Sequence, residues 1–304
     1  MTQANRPGDP TAPPPRHLID AVVAPALAED APWGDLTCQA LIGADLRTTA
    51  VLRAREGGVL CGTSVLEAAM RLTDPRISVV FPQADGTVFG AGDVLAEMSG
   101  PAAGILTAER TALNIAQRLS GIATLTRAFV EAAAGTDARI VDTRKTTPGL
   151  RVLERWAVRC GGGFNHRFSL SDAVLVKDNH LALLGVGGSA ELTEALRAVR
   201  SRVPHTVQIE VEVDSLEQIE PVLAAGVSTI MLDNFTLADL AEGVRRIGGR
   251  AVVEASGNVR LDTVAGIAAT GVDLISAGAL THSVRALDLG LDIDPPQPEA
   301  GPSA

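Results

Sequence analysis

Apolar residues along this chain follow mixed periods up to about residue 103 and one repeating pattern after about residue 135. His17–Ala31 carries its apolar residues at helical spacing and stops before the turn-forming Trp33-Gly34-Asp35. Short apolar runs then predict strands over 48–56, 57–62, 76–81 and 87–100, with a helix over 64–72 and a turn at Asp85-Gly86. That irregular mixture predicts an α+β domain. From about Gly104 to Ala134, Leu106, Leu113, Ala116, Leu119 and Ala123 mark one face of a long amphipathic helix. Arg110, Asn114, Gln117 and Gly121 fall on another, so Arg110 is expected on a polar face. Beyond it, near-continuous apolar runs at 138–142, 172–176, 207–213, 228–233, 251–256 and 272–277 alternate with amphipathic segments at 147–160, 189–202, 215–226, 236–247 and 260–271. Strands of that kind, separated by helices, predict a parallel sheet covered by helices.

Polar residues decide between an open sheet and a barrel. Asp142, Lys177, Glu210 with Glu212, Asp233, Glu254 with Ser256, and Ser276 with Gly278 stand at or near the C-terminal ends of successive predicted strands. A barrel gathers all those ends on one face, whereas an open sheet uses only those near its switch point. The pattern therefore predicts an α/β barrel, and neither a dinucleotide fingerprint nor a P-loop is present. The expected organisation is a disordered tail over 1–16, an α+β domain with its connecting helix over 17–134, and a catalytic barrel over 135–284. Residues 285–294 are expected to pack back on the first domain, and 295–304 to form a second tail.

Charge sharpens the picture. The 304 residues carry a net charge of −10, yet Arg110, Arg144, Lys145, His166, Arg167 and Lys177 concentrate positive or imidazole side chains among Gly, Thr and Asn, as a site for a small polyanion would. The overall acidity, 3% aromatic content and lack of Tyr argue against nucleic-acid binding. Cys38, Cys61 and Cys160 show neither disulfide nor zinc spacing. No apolar run is long enough for a membrane span and the first residues lack a signal-like core, so a cytoplasmic location is expected. Glu210 and Asp233 lie in or at the end of apolar strands, where a carboxylate needs a partner. Two readings stand: ion pairs with Lys177 or Arg144, or a Mg²⁺ ion shared with a phosphorylated substrate. The turns 254–259 and 276–283, opened by Gly257 and Gly278 and placed before predicted helices, suit a phosphate.

These motifs in this order, ERTALN (109–114), LSGIAT (119–124), DTRKTTPG (142–149), CGGGFNHR (160–167), VKDNH (176–180), IEVEVDS (209–215), MLDNF (231–235), EASGN (254–258) and SAGALTHSVRALD (276–288), resemble the quinolinate phosphoribosyltransferases. The resemblance implies an incomplete barrel of about seven strands, a homodimer with shared active sites or a higher oligomer, and Mg²⁺ as cofactor. The implied substrates are quinolinate and phosphoribosyl pyrophosphate; the implied products are nicotinate mononucleotide, pyrophosphate and CO₂. By resemblance, Arg144, His166 and Arg167 bind the dicarboxylate with Arg110 from the partner subunit, and Thr143 is a further substrate-binding residue. Lys145 and Lys177 stand between the substrates. Glu210 and Asp233 face the ribose and hold Mg²⁺, and Ser256, Gly257, Asn258, Ala277, Gly278 and Ala279 hold the 5′-phosphate. Lys145, Lys177, Glu210 and Asp233 are the implied catalytic residues. The chain has Thr147 and Phe168-Ser169 where the family often has Leu and Leu-Gly. Rival readings are a paralogue acting on nicotinate or another pyridine acid, and a noncatalytic sugar-phosphate binder. Lys177 argues against a molybdenum-associated relative, which tends to lack that lysine.

Overall fold

The computed structural model describes residues 9–293. Residues 1–8 of the first expected tail, residue 294 and the whole second tail lie outside the described residues. Residues 9–15, placed in a tail by composition, are tied down instead: the buried Trp156 indole N–H donates to the Thr11 carbonyl at 2.8 Å. A buried indole needs an acceptor, and the chain start supplies it.

In chain order the elements are α1 (Arg16–Asp30), α2 (Leu36–Leu41), β1 (Arg47–Ala54), β2 (Gly58–Val59), α3 (Thr63–Thr73), β3 (Ser78–Val80), β4 (Val88–Phe89), β5 (Val94–Pro101), α4 (Ala102–Ala132), β6 (Arg139–Val141), α5 (Arg151–Cys160) and β7 (Val174–Val176). They continue as α6 (Asp178–Leu183), α7 (Ser189–Arg202), β8 (Ile209–Val213), α8 (Ile219–Ala224), β9 (Thr229–Asp233), α9 (Leu237–Ile247), β10 (Val252–Ser256), α10 (Val264–Ala268), β11 (Leu274–Ser276), α11 (Ala279–His282) and β12 (Leu289–Ile293). Contacts divide the chain into two compact units. The first runs to Thr124 and includes Pro148–Gly161 and the chain from Val284; the second is Leu125–Thr147 with Gly162–Ser283.

The first unit is built on an antiparallel sheet in the order β12-β1-β5-β3. β12 pairs with β1 from Ala50↔Ile293 to Ala54↔Leu289, so the last described strand completes this sheet. Leu52, Leu66, Met70, Leu95, Met98, Ile105 and Leu119 fill its core. Helix α5, which sequence pattern groups with the barrel, belongs here. Its fully buried Glu154 accepts from Arg118 Nε at 2.8 Å, and Arg118 Nη2 lies 2.7 Å from the same oxygen.

The second unit is a parallel sheet in the order β6-β11-β10-β9-β8-β7. All six repeating apolar runs of the sequence become its strands. The expected seventh position is held by a single residue: Phe164 bridges Val141 beyond β6. Glycines 161–163 precede it, and glycine weakens a strand. Flat, this sheet would put the Phe164 segment about 24 Å from β8, five strand spacings away. His166 nevertheless reaches Glu210 on β8 at 2.9 Å, so the sheet curls into an incomplete barrel.

Candidate active site

Residues paired in parallel register share a face of the sheet. Glu210 pairs with Thr229, Glu212 with Met231, Glu254 with Met231, and Ser256 with Asp233. All four acids therefore face the barrel interior in layers: Glu210 deepest, Glu212 and Glu254 above it, Asp233 at the strand ends. Four acids in one interior require compensation.

Part of that compensation comes from the turn after Phe164. Fully buried Asp142, following β6, accepts from the His166 backbone N–H at 2.8 Å and from Asn165 Nδ2 at 2.6 Å. His166 Nδ1 accepts the Arg167 backbone N–H at 2.7 Å. Its Nε2 turns inward, 2.9 Å from Glu210 Oε2 and 3.5 Å from Glu254 Oε2. Burial disfavours charge on the imidazole, but hydrogen bonds to Glu210 and Glu254 and their negative charge outweigh it and raise its pKa. Burial raises the Glu210 carboxyl, His166 partly offsets this, and the charge of Glu254 adds to it. Beyond the His166 ring, Glu210 Oε1 and both carboxyl oxygens of Glu254 are buried without a hydrogen-bond donor.

Two guanidiniums sit above this cluster. Burial and then repulsion from Arg144 lower the Arg167 pKa, and Arg144 Nε is buried without an acceptor. Arg167 Nη1 donates to the Ala173 carbonyl at 2.7 Å, across the gap in the sheet. Neighbouring guanidiniums repel unless an anion lies between them. Lys145 is held by its backbone: its N–H donates to Thr143 Oγ1 at 3.0 Å and its carbonyl accepts from Thr281 at 2.8 Å. Its exposed side chain crosses Gly278, where a Cβ would come within 2.8 Å of Lys145 Cδ. Ala277 donates to the Val141 carbonyl at 3.1 Å, and Ala279 opens α11.

At the opposite wall Lys177 Nζ donates to Glu212, not to Glu210 or Asp233. Asp233 Oδ2 accepts from Asn234 Nδ2 at 2.7 Å, and Asn258 Nδ2 donates to Asn234 Oδ1 at 3.2 Å. Asn234 and Asn258 have φ of 58° and 49°, and Gly257, at φ 91°, approaches so closely that a Cβ would lie 2.2 Å from Asn234 Oδ1. Asn is among the few non-glycine residues that adopt left-handed backbone readily, and its use at both positions lets the two turns approach each other.

Several expectations need correction. Glu210 and Asp233 do not form a shared Mg²⁺ site: register puts them four residues apart along the strands, about 13 Å. Their side chains leave the sheet along its normal, whereas oxygens on one Mg²⁺ lie roughly 3 Å apart. Glu210 is engaged by His166, and the acid beside Lys177 is Glu212. The strand reads Glu-Val-Glu, so period two puts both acids on one face, and only register tells which is nearer the mouth. Glu254 was legible as a strand-end acid, but its partner lies 88 residues earlier, beyond any local pattern. The 254–259 turn does not open a helix, since α10 begins at Val264. Arg110 is exposed on α4 in the first unit, as its place on a polar helix face predicts.

The chain matches the quinolinate phosphoribosyl transferase N-terminal domain over residues 35–120 and the C-terminal domain over residues 122–292. It is 45% identical over 277 residues to the nicotinate-nucleotide pyrophosphorylase [carboxylating] of Mycobacterium leprae, covering 88% of this chain and 94% of that one. A probable enzyme of the same name from Bacillus subtilis is 41% identical over 265 residues, covering 87% and 90%. Among solved structures, NadC from Streptococcus pyogenes superposes with a TM-score of 0.88 at 39% identity, covering 93% of this chain and all of that one. The nicotinate-nucleotide pyrophosphorylase of Francisella tularensis gives 0.86 at 37% identity, covering 92% and 98%. With both domains matched, and a barrel mouth that gathers Arg144, Lys145, Arg167, Lys177 and Asp233, the chain belongs to the quinolinate phosphoribosyltransferase family.

Proposed function

We infer that this enzyme transfers the phosphoribosyl group of phosphoribosyl pyrophosphate to quinolinate with loss of CO₂, giving nicotinate mononucleotide and pyrophosphate for NAD biosynthesis. The observation that carries the reading is the convergence of Arg144 and Arg167 with a buried Arg144 Nε awaiting an acceptor. A pyridine dicarboxylate supplies acceptors to both guanidiniums, and Lys145 adds a third positive charge at the rim. The Asp233–Asn234 and Ser256–Asn258 turns, with Gly278, take the phosphorylated ribose.

Departure of pyrophosphate leaves positive charge at ribose C1, which the carboxylates of Asp233 and Glu212 stabilise from fixed positions. The pyridine nitrogen then bonds to C1. The quaternised ring accepts the electron pair left at C2 as CO₂ departs, so the protein need only hold the carboxylate and place a cation beside it. Lys145 is the leading candidate for that cation and Lys177 the next. Mg²⁺ is proposed as part of the pyrophosphate substrate complex; half-buried Asp233 at the strand end is the carboxylate placed toward it, and Glu210 is not.

The active form is proposed as a homodimer in which Arg110 serves the partner's site. Arg110 is exposed, and the first unit also presents Trp33 at 92%, Leu36 at 78% and Leu41 at 76% exposure, apolar surface that a second copy would cover. Among the described residues no helix is long and apolar enough to cross a membrane. A cytoplasmic setting is proposed, supported by free thiols at Cys38, Cys61 and Cys160. The test is direct: purified protein with phosphoribosyl pyrophosphate, Mg²⁺ and either quinolinate or nicotinate, with CO₂ and mononucleotide measured. Mononucleotide and CO₂ from quinolinate are expected; product from nicotinate alone would replace the reading with the paralogous one.

A further inference from the structure

The His166–Glu210–Glu254 cluster contains more acceptors than visible donors. One ring N–H, at Nε2, faces Glu210 Oε2 at 2.9 Å and Glu254 Oε2 at 3.5 Å. Apart from that ring N–H, Glu210 Oε1, Glu254 Oε1 and Glu254 Oε2 have no donor, in a place where Glu254 is 1% and Glu210 7% exposed. Buried carboxyl oxygens in that state need a cation or a proton.

A divalent cation is the first alternative, since one ligand atom from each residue lies within 4.8 Å of the others. The ring decides against it. A metal on Nε2 requires the imidazole proton on Nδ1, where it normally donates to an acceptor. Here Nδ1 meets a donor, the Arg167 backbone N–H at 2.7 Å. The ring proton therefore sits on Nε2, and the cluster is built to hold protons.

Two protons can be shared among the three groups in two ways: an imidazolium between two carboxylates, or a neutral imidazole beside one carboxyl and one carboxylate. The net charge is the same in both. The Arg167 amide on Nδ1 selects the second arrangement, in which a carboxyl proton shared by the two glutamates supplies a donor that the ring alone does not.

We propose that Glu254 is a positioning residue for substrate binding: together with Glu210 it fixes the His166 ring, which in turn holds the Arg167 backbone and aims its guanidinium at the substrate carboxylate. The chain of contacts runs from Glu254 and Glu210 to His166 Nε2, from Nδ1 to the Arg167 amide, and from Asp142 to the other side of the turn. It rests on the reading that Arg167 meets quinolinate, and it adds a residue that touches no substrate.

The arrangement separates two substitutions of similar size. Glu254→Gln keeps an acceptor for the His166 ring and adds a donor for Glu210, and is expected to stay within about twofold of the parent enzyme. Glu254→Ala, checked for folding by circular dichroism and melting temperature, is expected to raise KM for quinolinate about tenfold or more while leaving KM for phosphoribosyl pyrophosphate within about twofold. Nitrogen-15 NMR, with the His166 signals assigned by comparison with His166→Gln, is expected to show the Nε2–H tautomer in the parent and in Glu254→Gln. Four results would overturn the proposal: Glu254→Gln as impaired as a folded Glu254→Ala, a folded Glu254→Ala with unchanged KM for quinolinate, both ring nitrogens protonated, or a stoichiometric transition metal in the purified protein. If Glu254→Ala fails to fold, the Gln variant and the NMR decide. A parent enzyme inactive on quinolinate would instead sink the functional reading, while the tautomer result would still stand.

Discussion

Glu154 in the first unit and Glu254 in the second are the same residue type, buried to 0% and 1% exposure, and are treated oppositely. Glu154 is answered by Arg118 through two short contacts to one oxygen. Glu254 has no donor other than the His166 ring nitrogen at 3.5 Å and lies beside another acid, Glu210. A buried acid used for architecture is paired on the spot, whereas Glu254 in the barrel is left with a ring nitrogen at 3.5 Å, in a site where Arg144 Nε is also buried without an acceptor. The first unit answers its buried acid with a guanidinium; the second leaves Glu254 to a ring nitrogen.

Substitutions that separate turnover from stability test this contrast. The largest effect is expected at Lys145, whose side chain lies over Gly278 in the second unit: Lys145→Ala should cost turnover about 10³-fold, roughly 4 kcal/mol of transition-state stabilisation, with the melting temperature unchanged. Near-normal turnover in that variant would remove Lys145 from the chemistry. Arg118→Met should do the reverse, lowering stability by about 3 kcal/mol in denaturant titration because it takes away the cation beside a buried carboxylate. A drop in kcat without a drop in stability would undo the distinction between the units.

At Gly257, Ala would meet Asn234 Oδ1 at 2.2 Å with φ at 91°, so Gly257→Ala should lower kcat/KM for phosphoribosyl pyrophosphate by about tenfold, roughly 1–2 kcal/mol, through displacement of the 256–258 turn. Equal kcat/KM would show that this turn does not carry the phosphate. The smallest effect concerns Glu56 in the first unit, whose pKa falls to about 2 because Arg285 donates to it, with further help from the Asp288 amide. A carboxyl with a depressed folded-state pKa contributes stability that is fully present above its unfolded value near 4.5 and is lost as pH falls toward 2. Glu56→Gln should therefore flatten the acid limb of the stability profile between those values, and an unchanged limb would show that the pair is screened by solvent.

Much of this fold was legible in sequence because barrel strands and their helices repeat one pattern, and α7 spans the predicted Ser189–Arg202. Short elements without room for a period escaped: α2, α6 and α11 are six residues or fewer. β12 was expected only as a returning segment, since nothing local marks its pairing with β1. At the site, the basic motifs pointed to the guanidinium pair and both lysines, because charge type and glycine-rich context are local. The choice between Glu210 and Glu212 depended on register with β9, and the role of Glu254 on a contact across the barrel; both are properties of the closed sheet.

The pairing of β12 with β1 also bears on how the molecule is made. The first unit draws on Pro148–Gly161 and on the chain from Val284, so its central sheet lacks an edge strand until residue 293 has been synthesised. Residues Gly162–Ser283 emerge from the ribosome before that strand does. The part of the enzyme that begins first is thus finished last, and until then β1 presents a bare edge to its surroundings.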